Sequence, residues 1–229
     1  YLQKQENKIE NLYDNHYVQC MSKDVLNRVG FVLTVNDMLI KLRSFKDGDN
    51  EFKIDRGYAF EQQLNKNLEE ALGKRLDEYY LPEFQAKIPM AIISPTIVSD
   101  GRRLLISPQP ISYLSYTFPQ DNIRNNVLLE SVEFKRFFKN QDAGNLRYSS
   151  ALRMTSTFPY IMPIVNLPSD PPMKVMDSGL RDNYGTKTSL KFLYTFRHWI
   201  EQNTSGVIIL QIRDTEKKTR EVKKNTDSF

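Results

Sequence analysis

Only one cysteine, Cys20, and two histidines, His16 and His198, occur in 229 residues. One cysteine excludes an internal disulfide and any Cys-x-x-Cys pair, so Cys20 reads as a small buried hydrophobe. With the histidines far apart, a histidine-rich metal centre is not expected, and no metal or cofactor is assigned. A Ser-His-Asp triad would have to recruit one of these two. No apolar run approaches the roughly 18 residues of a membrane helix; the longest, such as "GVIIL" at 206–210, are strand-sized. No signal-peptide pattern is visible in the sequence; the compartment is left open, with a cytoplasmic or peripheral-membrane setting favoured. Charge of one sign is also lacking: 32 basic and 28 acidic residues leave a net +4. Half of "RDTEKKTREVKK" (213–224) is basic, but acids are interspersed and no aromatics accompany it. It reads as a solvated tail with weak attraction to anionic headgroups, and no nucleic-acid partner is expected.

The residues present make an ordinary globular chain, 40% hydrophobic and 26% charged. One α/β unit is expected over 1–229, with a helical lead-in (1–50), a core (50–214) and a charged tail (215–229). The lead-in divides into a loosely held helix over 1–17 and a denser one over 21–45, capped by Ser22 and broken near Gly30. "KDGDN" (46–50) reads as a loop. Phe60, Leu64, Leu68 and Leu72 recur every four residues and predict one apolar helical face, with Asp55 as its N-cap. After Pro82 the period changes. "IPMAIISPTIV" (88–98) and "RRLLIS" (102–107), joined by "SDG", predict a β-hairpin. Residues 108–126 are loop-like, and "SVEFKRFF" is a short strand or helix. "NLRYSSALRMTSTFPYIMP" (145–163) reads as a helix stopped by Pro159. "MKVM" (173–176) is a short strand, 186–203 an amphipathic helix with Trp199, Phe192 and Phe196 in its apolar stripe, and 205–214 a buried strand. Strand, helix, strand over 173–214 predicts a βαβ unit.

The chemistry concentrates in "VMDSGLRDNYG" (175–185). An apolar lead-in delivers Asp177 to a strand end, where ligands of open α/β sheets sit. Taken locally, an Asp-x-Gly turn explains Asp177 better than catalysis does. Gly179 is expected to permit a sharp reversal there, and Asn183 to brace the loop by side-chain-to-backbone hydrogen bonds. Ser149, Ser150, Ser156 and Ser178 lie in no strand–turn–helix nucleophile elbow. Arg153 reads as a structural salt-bridge partner, His198 as a helix-edge residue, and Asp100 and Asp121 as turn residues.

Met154-Thr155-Ser156-Thr157-Phe158-Pro159, then a strand, then Asp177-Ser178-Gly179 with Asn183 following, resembles the patatin-like phospholipase family. "DRGYAFEQ" (55–62) and the hairpin 88–107 are similar to its helix entry and hairpin, so the resemblance covers about 50–214. Ser178 departs from the usual middle Gly, and Gly185 stands where Pro often follows. The family nucleophile sits in Gly-x-Ser-x-Gly, which this chain lacks, as it lacks the glycine-rich oxyanion loop.

The resemblance therefore implies an incomplete three-layer α/β/α patatin-like fold whose nucleophile-bearing part lies upstream. It implies a Ser-Asp dyad needing no histidine, with Asp177 as general base acting on a phospholipid or other lipid ester. Residues 1–229 alone are expected to be inactive and, with apolar sheet edges uncovered, to self-associate. The alternatives are a degenerate, non-catalytic module that binds lipid or protein, and an unrelated interaction domain.

Overall fold

The computed structural model describes residues 15–37, 43–47, 50–117, 128–158 and 160–213. The start of the lead-in helix, Asp121, Pro159 and the tail 215–229 lie outside the described residues.

The lead-in differs from the expectation. Two helices, α1 (Asn15–Ser22) and α2 (Leu26–Val32), are separated at Lys23–Val25, not at Gly30, and α2 runs into a π-turn over Leu33–Asp37. The break falls where the Asp24 carboxylate accepts the Asn27 N–H at 2.9 Å, a side chain starting a new helix. The expected helix stops short of residue 45. An antiparallel pair follows, β1 (Arg43–Asp47) against β2 (Asn50–Ile54), so part of "KDGDN" is strand.

Asp55 caps α3 (Arg56–Asn67) as predicted, accepting the Tyr58 N–H at 2.9 Å. The inward face of α3 is not the leucine stripe. Glu61, Asn65 and Asn67 are buried, whereas Phe60, Leu64 and Leu68 are only half-buried. The polar side chains go inward because they have partners: the Asn67 amide donates to the carbonyls of Lys23 and Asp24, and Asn65 Oδ1 accepts the Leu72 N–H at 2.9 Å. That second bond closes a turn through Glu69 and Glu70, both at positive φ, and ends the helix before Leu72. Helix α4 (Leu76–Phe84) contains Pro82, so the period change at Pro82 had concealed a helix.

A five-stranded mixed sheet forms the centre, in the order β5 (Ser131–Glu133), β4 (Arg103–Leu105), β3 (Thr96–Ile97), β7 (Met173–Met176), β6 (Val165–Leu167). β3 and β4 are the predicted hairpin, turning through Gly101 at φ 71°. Among the described strands only β4 and β5 pair in parallel. "SVEFKRFF" supplies both β5 and the short α5 (Phe134–Phe137). Side chains alternate across β4. Leu104 joins a large cluster with Leu76, Phe138, Ala151, Met154 and Val175, under α4 and α6 (Tyr148–Thr155). Leu105 points the other way, to Ile111, Leu114 and Phe192 of α8 (Thr186–Thr195). Helices thus cover both faces, and the mixed α/β class is as expected.

The C-terminal part departs furthest. Short α7 (Gly179–Asp182) precedes α8, and the expected single helix breaks at Phe196 before α9 (Arg197–Asn203). Trp199 is 60% exposed and not core. No strand forms over 205–213, so the predicted βαβ unit is absent. Ile208 is 97% and Leu210 83% exposed. An apolar run buries itself only where a neighbouring strand or helix supplies the second surface, and none of the described elements does so. No helix among the described residues is long and apolar enough to cross a membrane.

Candidate active site

Strand β7 ends at Met176 and Asp177 follows at once. The turn is pinned from three elements. Asp177 N–H donates to the Thr157 carbonyl at 3.1 Å, and Ser178 N–H to the Thr155 carbonyl at 3.3 Å. The Thr96 hydroxyl of β3 donates to the Asp177 carbonyl at 2.9 Å. The C-terminal end of α6 with Ser156–Thr157 and the end of β7 are therefore stitched together, which fixes the Asp177 backbone. The half-buried carboxylate accepts the Gly179 N–H through Oδ1 at 2.5 Å, an Asx-type turn. No bond to Oδ2 is recorded among the described residues.

Gly179 works differently from the expectation. It does not adopt positive φ. A Cβ there would lie 2.7 Å from Asp177 Oδ1 and 3.1 Å from Asn183 Oδ1, so glycine is needed for room. Asn183 is exposed and makes no side-chain hydrogen bond among the described residues; it does not brace the loop.

The neighbouring Asp182 does. Its buried carboxylate accepts the N–H groups of Lys187 and Thr188, both at 3.0 Å, and the Thr188 hydroxyl at 2.8 Å. It also pairs with Arg103 Nη1 at 3.3 Å. Burial alone would raise the Asp182 pKa; the backbone donors, Thr188 and Arg103 outweigh it and hold the carboxyl below its ordinary value. The Arg103 side chain is 2% exposed and also reaches Glu130 at 3.8 Å. Glu130 in turn meets Lys191 Nζ at 2.5 Å, and Lys191 donates to the Tyr116 carbonyl. Burial pulls the Lys191 pKa down despite Glu130. This network locks the start of α8 to β4. The hydroxyl positions Thr186 and Thr188 at the start of the α8 pattern could have signalled a capped terminus, with Asp182 as its acceptor.

A cleft of about 480 Å³ lies against α6, lined by Tyr58, Phe134, Phe138, Met154 and Leu167 among others. Asp177 is not among its lining residues. At its floor Arg153 pairs with Asp55 at 3.1 Å and Glu61 at 3.3 Å, the salt-bridge role expected of it. Gly57 gives the guanidinium its space; a Cβ would fall 2.2 Å from it. Ser150 donates to Glu61 at 2.8 Å. Burial raises the Glu61 pKa above its ordinary value, although Arg153 and Ser150 oppose it. Sequence reasoning passed over Glu61 because it stands in an otherwise ordinary amphipathic helix.

None of the serines weighed from the sequence takes a nucleophile's place beside Asp177 among the described residues. Ser156 donates to the Leu152 carbonyl, Ser150 to Glu61, and Ser149 is buried in α6. Ser178 Oγ is buried and without a partner, on the residue adjoining Asp177. His198 is exposed and 3.7 Å from Glu201. Asp100 closes its turn, accepting the Arg102 N–H at 2.9 Å.

Comparison with models of known protein families, with characterised proteins and with solved structures finds no match.

Proposed function

We propose that residues 1–229 form part of a patatin-like serine acyl hydrolase with a three-layer α/β/α fold, in which Asp177 is the general base. The observation that carries this reading is the pinning of Asp177. It sits immediately beyond β7, held through Thr157 and Thr96, with one carboxylate oxygen engaged by Gly179 N–H. A base must be held within hydrogen-bond reach of the proton it removes, and rigid attachment to a strand end favours that. Gly179, with no Cβ to crowd Oδ1, leaves room for the carboxylate to take its N–H, in keeping with the Asp-x-Gly pattern of the family.

In this reading the nucleophilic serine belongs to a segment outside residues 1–229. Its hydroxyl proton passes to Asp177 as Oγ attacks the ester carbonyl. The tetrahedral intermediate collapses, the proton goes to the departing alcohol, and an acyl-enzyme remains. Water, deprotonated by the same carboxylate, then releases the fatty acid and the serine. Lipid ester as substrate class comes from the resemblance. It is supported by the exposed apolar side chains Phe158, Tyr160 and Ile161 after α6, and Leu180 three residues past Asp177, which suit contact with a lipid surface.

The test is fluorophosphonate labelling of the protein that includes the upstream segment, followed by peptide mapping. A single labelled serine outside residues 1–229, with none labelled in the chain alone, is the expected result. Stoichiometric labelling of a serine within the chain would overturn the assignment. A non-catalytic lipid- or protein-binding module is the second reading. It is favoured by the same Asx-type bond, which gives Asp177 a sufficient structural use, and it corresponds to no labelling in either protein.

A further inference from the structure

Where α1 meets the end of α3, three side chains of metal-ligand type converge. His16 and Cys20, four residues apart, share one face of α1. Glu69 comes from the turn that ends α3, at φ 55°. His16 Nε2 is 3.4 Å from Cys20 Sγ and 3.1 Å from Glu69 Oε1. All three ligand atoms lie within 4.8 Å of one another.

Two chemical uses fit such a trio, and the geometry separates them. A Cys-His-Glu nucleophile would use both ring nitrogens, one toward sulfur and the other toward the carboxylate. Here sulfur and carboxylate oxygen both face Nε2. One nitrogen carries at most one proton and cannot serve both partners well. A cation at the centre serves all three at once. Tetrahedral bonds of about 2.0–2.1 Å to nitrogen and oxygen and about 2.3 Å to sulfur imply ligand–ligand separations of roughly 3.3–3.6 Å. The two separations from His16, 3.4 Å to sulfur and 3.1 Å to oxygen, are close to that, and the third pair lies within 4.8 Å, so the exposed Glu69 side chain closes on the ion.

We propose that His16, Cys20 and Glu69 bind one divalent cation of the zinc class. A mixed nitrogen, sulfur and oxygen set suits a borderline-soft ion and disfavours magnesium or calcium, which take oxygen ligands. Binding replaces the thiol proton of Cys20, which passes to solvent, and changes no oxidation state. Three protein ligands leave the fourth position to water. Cys20 is 2% exposed, whereas His16 and Glu69 are partly open, so the ion enters from the solvent side. The site ties α1 to the end of α3, beside the Asn67 bonds to Lys23 and Asp24. It is separate from Asp177 and independent of the acyl-hydrolase reading.

Cobalt(II) titration of the reduced chain tests it directly. The expected result is a thiolate-to-cobalt charge-transfer band with tetrahedral visible bands, saturating at one equivalent and displaced by zinc. Cys20→Ser should abolish the charge-transfer band. His16→Ala and Glu69→Gln should each weaken zinc binding by at least the ten- to hundredfold typical of losing an outer-shell partner. Absence of the band in the unmodified chain, or its survival in Cys20→Ser, would overturn the proposal. So would zinc affinity unchanged in Glu69→Gln, a partly exposed position whose substitution leaves the core intact.

Discussion

Replacing Asp182 with Ala removes the acceptor that joins the start of α8 to β4. The two N–H groups of Lys187 and Thr188 lose their partner, which costs about 1 kcal/mol by analogy with helix caps. Arg103, 2% exposed, loses its carboxylate. Stranding one member of a buried pair costs about 3–5 kcal/mol where nothing else receives the charge. The Thr188 hydroxyl at 2.9 Å and Glu130 at 3.8 Å retain part of that. A net loss of about 3 kcal/mol is expected, read by urea unfolding followed by circular dichroism.

The pH profile gives a second readout. The folded pKa of Asp182 lies below its unfolded value. Its contribution is therefore present above the ordinary Asp range and is lost as pH falls through the folded value. Asp182→Asn should flatten that acid limb. A loss below about 1 kcal/mol for Asp182→Ala, no more than a cap is worth, would refute the buried-pair reasoning. An unchanged acid limb in Asp182→Asn would do the same.

Glu61 has the opposite sign: its pKa is raised, so it withdraws stability as pH rises from the ordinary Glu value through the folded one. Glu61→Gln should remove that decline, measured as unfolding free energy across the weakly acidic range. Gly57→Ala places a Cβ 2.2 Å from the Arg153 guanidinium; although Ala gains up to about 1 kcal/mol of helix propensity over Gly, displacing Arg153 from Asp55 and Glu61 should leave a net loss of about 1–3 kcal/mol by thermal or urea melts. Lysine at Ile208 and Leu210, both largely exposed, should reduce self-association in sedimentation velocity without lowering the melting temperature; an unchanged association state would remove residues 207–212 from that role.

What the sequence made legible was local. Asp55 announces a helix start because its own carboxylate supplies the bond, and Ser99-Asp100-Gly101 announces a hairpin because Gly101 accepts positive φ. The strand end at Asp177 is legible for the same reason. What escaped depends on distant partners. The leucine stripe of α3 looked like the inward face, but Glu61 and Asn65 turn inward to meet Arg153, Ser150 and the backbone at Leu72. Asn183 looked like the brace, while Asp182 took the part because Arg103 lies 79 positions away in sequence and beside it in space. The run Val207–Ile212 has the composition of a buried strand, but burial requires a neighbour that residues 173–203 do not provide.

The most direct measurement is hydrolysis of short-chain and phospholipid esters by the protein carrying the upstream segment, unmodified and as Asp177→Asn. The substitution keeps an oxygen to accept the Gly179 N–H, so unfolding free energy should change little. Loss of the base should lower turnover by about 100- to 10,000-fold. Near-normal hydrolysis by a stably folded Asp177→Asn protein would contradict the central claim and leave Asp177 as the residue that closes a turn.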